Sequence, residues 1–183
     1  MINMWYENAC ASALSAQKSC KAPILTPEIS LNENDDSYTK EVDIKDAKTT
    51  ISEYRIKNKD KVVLATLNIN SLRNKLSSLD IVSNNIDVMI IEETKLDASF
   101  PDGQFIVPGY KQPYRRDRDC NGGGVIVYIR EDIPSKKLDS FKLDDIEGQF
   151  FELNLRKSKW LMFAAYKPPS CSKSKYLDIL EML

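Results

Sequence analysis

The chain has 183 residues, 42% hydrophobic and 29% charged, with a formal net charge of −1. That length holds one domain, or one domain with a tail, and the balance is that of an ordinary globular chain. With no global positive field, nucleic acid or an anionic membrane would have to be met by a local patch. No run of about 18 apolar residues occurs, which excludes a helical membrane span. The N-terminus has neither the basic nor the apolar region of a secretory signal. Cys10, Cys20, Cys120 and Cys171 are scattered without ligand spacing and read as reduced thiols of an intracellular protein, nuclear or cytoplasmic. The chain contains no histidine, which removes the commonest general base and the Ser-His and Cys-His nucleophile systems.

Residues 1–60 carry 8 basic and 10 acidic side chains and no sustained apolar face. A short Ala/Ser-rich stretch, Ala9 to Ala16, is the one helix-prone piece, and Pro23, Pro27 and the polar run Asn32 to Ser37 follow it. Such a composition predicts a mostly disordered leader, with residues 61–183 as the folded part. Val62 to Leu67 reads as a buried strand, and Asn68 to Ser71 as a turn. Leu72, Leu76, Leu79 and Val82 lie at helical spacing behind an Asn70 or Ser71 cap. Asn84 and Asn85 end that helix, and Val88 to Ile91 form a strand apolar on both faces. This β-α-β unit of about 30 residues predicts two parallel strands whose following loops share one sheet edge.

Further along, Gln104 to Val107 reads as a short strand closed by Pro108-Gly109. Residues 110–121 read as a loop, in which Lys111, Arg115, Arg116 and Arg118 interleave with Tyr110 and Tyr114. Gly122-Gly123-Gly124 opens a strand over Val125 to Ile129. After the Pro134 break, Gln149 to Leu155 and Trp160 to Tyr166 read as a hairpin about Arg156-Lys157-Ser158-Lys159. Pro168-Pro169 stops the pairing. A last helix starts near Ser172 to Ser174, with Tyr176, Leu177, Leu180 and Leu183 on its apolar face.

The stretch with most chemistry is Asp87 to Leu96, where the apolar run stops at Glu92-Glu93-Thr94-Lys95. A carboxylate at the carboxyl end of a buried strand is both fixed and wet, which suits a hard cation such as Mg²⁺. The plainer readings are a solvated loop start for Glu93, a helix cap for Asn70-Ser71, and an amphipathic rim residue for Tyr166. The arginine loop also holds Asp117 and Asp119, as a solvated mixed-charge loop would.

Taken in order, Leu67-Asn68-Ile69-Asn70-Ser71-Leu72-Arg73, Ile91-Glu92-Glu93-Thr94-Lys95-Leu96, Gly122-Gly123-Gly124-Val125 and Ala165-Tyr166-Lys167-Pro168-Pro169 resemble the endonuclease/exonuclease/phosphatase superfamily. They look most like the endonuclease domain of LINE-type (non-LTR) retrotransposons, which is related to apurinic-site DNA endonucleases. The resemblance implies a DNase I-like, two-sheet α/β sandwich, of which this chain would be the N-terminal half. It implies a Mg²⁺-dependent phosphodiesterase that nicks DNA, with Glu93 and the nearby Asn70 amide holding the metal, Asn70 standing where the apurinic-site enzymes carry an aspartate. Asn68 would lie near metal and scissile phosphate, and the Tyr166 hydroxyl would approach the phosphate. Lys95, Arg115, Arg116 and Arg118 would meet the DNA backbone.

Members of that family also carry, further along, an aspartate-x-asparagine stretch after a strand and a final serine-aspartate-histidine stretch, and neither follows Tyr166-Lys167-Pro168-Pro169 in this chain. The expectation is a truncated member, inactive or nearly so as it stands, that exposes an apolar sheet face its second half would cover. Two other readings follow from the same residues: a non-catalytic nucleic-acid-binding module, and a small-molecule phosphodiesterase of the same superfamily. Tyr166-Lys167-Pro168-Pro169 argues against the latter.

Overall fold

The computed structural model describes residues 2–5, 44–77, 79, 84–139, 146–155 and 158–181. The Ala9 to Ala16 stretch and the polar run after Pro27 lie outside the described residues. Strands β1 (Ile2–Trp5), β2 (Leu64–Asn68), β3 (Val88–Glu92), β4 (Tyr114–Arg116) and β5 (Val125–Ile129) form a sheet in the order β1-β2-β3-β5-β4. Strands β6 (Ser135–Leu138), β7 (Glu147–Leu155) and β8 (Ser158–Tyr166) form a second sheet in that order. Helix α1 (Ile44–Lys57) precedes β2 in the chain, and helix α2 (Lys173–Glu181) follows β8. Among the described residues no helix is long and apolar enough to cross a membrane.

The parallel β2/β3 pair expected from the β-α-β pattern is present, with Asn68 opposite Glu92. Residues 76, 77 and 79 are helical between these strands. Leu72 and Leu79 are buried and Leu76 packs beside them. Alternation along β3 and β5 divides the core in two, because successive side chains leave a strand on opposite faces. Met89, Ile91, Ile126 and Tyr128 pack on one side against Ile51 of α1, Leu72 and Leu96. Val88, Ile90, Val125, Val127 and Ile129 face Phe151, Leu153, Met162 and Ala164 of the second sheet. The molecule is thus a two-sheet α/β arrangement with apolar layers on both faces of the first sheet.

Several expectations are corrected. Helix α1 falls within the segment read as a leader: Ile44, Ala47, Ile51 and Tyr54 have helical spacing, and Ile51 is buried in the core. Strand β1, also within that segment, pairs antiparallel with β2. The strand expected at Gln104 to Val107 is instead a 3-10 turn at Asp102–Phe105, seated by its buried Phe105. The arginine loop contains β4, which pairs with β5, and Ser135–Leu138 forms a strand that no apolar pattern announced. Strands β7 and β8 run further toward the hairpin than expected, pairing Leu155 with Ser158.

The expected exposed sheet face is mostly covered. The outer face of the second sheet carries a stacked Phe150–Phe163 pair, with ring centroids 4.3 Å apart. Cys171 and Tyr176 pack against that pair. Exposed apolar area of the second sheet gathers at the hairpin end of β8, where Trp160 is 41% and Leu161 63% exposed. Leu177, expected on the apolar face of α2, is also exposed.

Candidate phosphodiester site

The carboxyl ends of β2 and β3 sit side by side, and the loops leaving them are joined by backbone hydrogen bonds. Ile69 N–H donates to Glu92 O at 3.0 Å, Ser71 N–H to Glu93 O at 2.8 Å and Leu72 N–H to Thr94 O at 2.9 Å. The glycine stretch closes the other side: Lys95 N–H donates to Gly123 O at 3.0 Å and Thr94 N–H to Gly124 O at 3.4 Å. Asn70, Ser71, Glu93 and Lys95 all have positive φ, at 45°, 83°, 53° and 53°. Each such residue is strained by about 1–3 kcal/mol, and clusters of this kind concentrate at functional sites.

That backbone turn aims Glu93 across the sheet edge. Tyr166, at the end of β8, donates its hydroxyl to Glu93 Oε1 at 2.8 Å. The Asn68 side chain also hydrogen-bonds the Glu93 carboxylate. Asn68 Oδ1 accepts from Asn70 N–H at 3.2 Å, so the Asn68 amide N–H₂ is the group facing Glu93. Together the Asn68 and Tyr166 donors, joined by the charges of Lys95 and Arg118, hold the Glu93 carboxyl below the usual glutamate range. The neighbouring Glu92 shifts the other way, raised by burial and then by the charge of Glu93. Tyr166 is buried, and that burial, followed by its bond to Glu93, pushes its phenol up to about 12.

Asn68, Glu93 and Tyr166, expected together from the sequence, meet in one cluster. Asn70, expected beside Glu93 at the metal, has its Oδ1 accepting a hydrogen bond from Lys95 Nζ. Lys95 is therefore turned toward the cluster. The three arginines part company. Arg115 is corrected: its side chain is only 8% exposed and its donors are engaged inside the protein. They reach Asp97 O, Phe100 O, Asp102 and Asp117 at 3.1, 2.6, 2.8 and 2.6 Å. Arg116 is half-buried beside Gly148 O. Arg118 alone of the three lies over the glycines, and its charge acts on both Glu93 and Tyr166.

Three further side chains at this edge were assigned no role from the sequence, although Arg73 and Thr94 lie within the stretches that carry the resemblance. Arg73 ties the loops together, donating to Lys95 O at 3.2 Å and Cys120 O at 3.1 Å. Thr94 is fully buried, and its hydroxyl has no hydrogen-bond partner among the described residues. Glu147 opens β7 opposite Tyr166 and pairs with Arg118 at 3.5 Å.

The donor chemistry fits a hard cation held by one carboxylate. Glu93 would offer a cation a carboxylate oxygen at a wet edge, and Mg²⁺ needs only one or two protein carboxylates alongside its waters. Among the described residues no three His, Cys, Asp or Glu side chains group to cage a metal. A polar cavity of about 400 Å³ lies at the opposite end of the sheet, lined in part by Arg55, Asp87, Arg130 and Asp132. Its arginines are engaged: Asp87 accepts from Arg55 at 2.7 Å, from Val63 N–H at 2.7 Å and from Arg130. This cluster fastens α1 to the sheet.

No protein-family model matches the chain, and no curated protein does. Among solved structures it is similar to an AP endonuclease from Archaeoglobus fulgidus, at 23% identity and a TM-score of 0.40. The match covers 65% of this chain and 47% of that one, so the chain spans about half the length of that structure.

Proposed function

We propose that this edge is the metal-and-phosphate half of a phosphodiesterase centre, of the kind retrotransposon endonucleases use to nick DNA. The observation that carries the reading is the Tyr166–Glu93–Asn68 cluster, which joins the ends of three strands around one ionised carboxylate. Glu93 would hold Mg²⁺, which supplies Lewis-acid polarisation of a phosphoryl oxygen. Asn68 and Tyr166 keep Glu93 ionised by hydrogen-bonding its charged form. On this reading the second N–H of the Asn68 amide would be left to meet developing phosphate charge, and the Arg118 and Lys95 cations would add attraction for a DNA backbone.

What is missing among the described residues is the histidine-aspartate pair that would move the proton of an attacking water. The chain has no histidine, the commonest general base. Groups that act as a unit lose orders of magnitude in rate when one is missing. We therefore expect DNA binding with nicking at or near background. The test is Mg²⁺-dependent nicking of supercoiled plasmid by the purified chain and by Glu93→Ala, with duplex binding measured against salt. Glu93-dependent nicking would overturn the expected inactivity, and absence of salt-sensitive DNA binding would overturn the phosphodiester reading itself.

A second reading, a non-catalytic nucleic-acid-binding module, is favoured by one contact. Lys95 Nζ bonds Asn70 Oδ1 beside Glu93, and on this reading its cation would serve there in place of a metal. On that reading DNA affinity is indifferent to Mg²⁺ and to Glu93→Ala.

A further inference from the structure

Glu147 is a carboxylate that the proposed chemistry does not use, yet it is placed against that site. Its side chain is only 11% exposed. Oε1 lies 3.5 Å from Arg118 Nη1, and Oε2 is buried without a hydrogen-bond partner among the described residues. An unmade hydrogen bond on a buried charged group costs stability, so its retention calls for a reason.

The glycines beside it supply one. A Cβ built on Gly122 would fall 2.5 Å from Arg118 Nη2. One built on Gly123 would fall 2.7 Å from Arg118 Cζ and 2.9 Å from Glu147 Oε2. The guanidinium thus lies flat on bare backbone, with Glu147 behind it. Gly123 O in turn receives Lys95 N–H, and Glu147 is the cross-strand partner of Tyr166. Arg118 pairs with Asp119 as well, also at 3.5 Å. Both separations exceed ordinary hydrogen-bond length, and the side chain is 37% exposed. One face of the guanidinium is therefore held while the other can reach a ligand.

We propose that Glu147 is a positioning residue that, with the Gly122–Gly123 backbone, holds the Arg118 guanidinium beside Glu93 and Tyr166 as the anion-recognising group of this site. A guanidinium is suited to that task because its planar fork matches two phosphate oxygens.

The recognition role rests on the proposed phosphodiester function, whereas the holding of Arg118 by Glu147 does not, and two measurements separate them. The first is nitrogen relaxation of the Arg118 Nε–H in the ligand-free chain. It should report an ordered side chain in the wild type and a mobile one in Glu147→Gln; equal order in both would overturn the holding. The second is binding of a labelled DNA duplex across a salt series. Arg118→Ala should weaken binding about tenfold, the scale of one charge-assisted contact, and make the salt slope shallower by about one.

Glu147→Gln should weaken binding too, although it removes a negative charge, and should add nothing in the Arg118→Ala background. Glu152→Gln, on the same strand but paired with Lys159 away from the site, reports generic charge loss and should leave binding equal or tighter. If Glu147→Gln tightens binding as Glu152→Gln does, Glu147 merely repels phosphate and the positioning role is overturned. If the wild type binds no duplex while Arg118 is ordered through Glu147, the recognition role falls with the phosphodiester reading and the holding stands.

Discussion

Gly124→Ala is the most direct probe of how the site is assembled. Gly124 has φ +86°, and a Cβ there would come under 3.0 Å from Thr94 Oγ1, with Arg116 O next at 3.7 Å. A left-handed non-glycine residue costs about 1–2 kcal/mol, and forcing a methyl into a packed contact costs about 1–3 kcal/mol more. The substitution should therefore destabilise the fold by about 2–5 kcal/mol, a large share of the stability of a domain this size. Removing the obstructing hydroxyl separates the two terms. Thr94→Ala alone deletes a small amount of buried apolar surface together with a hydroxyl that has no partner, and those effects nearly cancel. In that background Gly124→Ala should cost only the backbone term, about 1–2 kcal/mol. Urea unfolding of the four proteins gives the cycle. An equal cost of Gly124→Ala in both backgrounds would refute the claim that Thr94 is what demands a glycine.

Three further outcomes follow from the geometry. Tyr166→Phe should raise the Glu93 pKa toward the ordinary glutamate value, and Asn68→Ala should raise it further; carboxyl carbon shifts through an acid titration report both, and an unmoved Glu93 would contradict the cluster. Glu92 has a raised folded-state pKa, so its contribution to stability is full below the unfolded glutamate value and is lost as pH rises through the folded one. Glu92→Gln should accordingly raise the urea midpoint near neutral pH and leave it unchanged in acid, and a gain that persisted in acid would point to packing instead. Asp87→Ala would leave Arg55, Arg130 and the Val63 amide without their acceptor and should cost about 3 kcal/mol, while a loss below about 1 kcal/mol in urea unfolding would show that solvent replaces it.

The sequence announces this sheet edge through abrupt changes of polarity. Apolar runs stop at Asn68, at Glu92-Glu93 and at Tyr166-Lys167-Pro168, and parallel pairing of β2 with β3 brings the first two ends together. The nearness of Asn68 to Glu93 was therefore legible in outline, whereas Tyr166 joined them only through the family resemblance. Helix α1 was harder to see because its apolar stripe is one residue wide in a strongly charged segment. Strand β4 is Tyr-Arg-Arg, half-buried throughout and fixed by backbone pairing with β5 rather than by apolar alternation. Arg115 carries the same charge as Arg118 within one loop. Only the folded arrangement turns Arg115 inward, toward Asp102 and Asp117, and Arg118 onto the glycines. Glu147 has no motif, because its place depends on register with Tyr166 in the second sheet.

The pair Glu92-Glu93 shows what the strained backbone accomplishes. In a continued strand the two carboxylates would alternate across the sheet, and neither would be drawn to the edge where β2 and β8 end. The left-handed turn at Glu93 breaks that alternation and delivers its carboxylate to the Asn68 and Tyr166 donors. It leaves Glu92 in the ladder, partly desolvated and next to the charge just displaced. Two identical side chains adjacent in sequence thereby acquire opposite pKa shifts. The strain persists because Ser71 N–H donates to Glu93 O, and Lys95 N–H to Gly123 O, on either side of the turn. Backbone conformation at one residue, held by the two neighbouring loops, decides which glutamate has its ionised form hydrogen-bonded at the sheet edge.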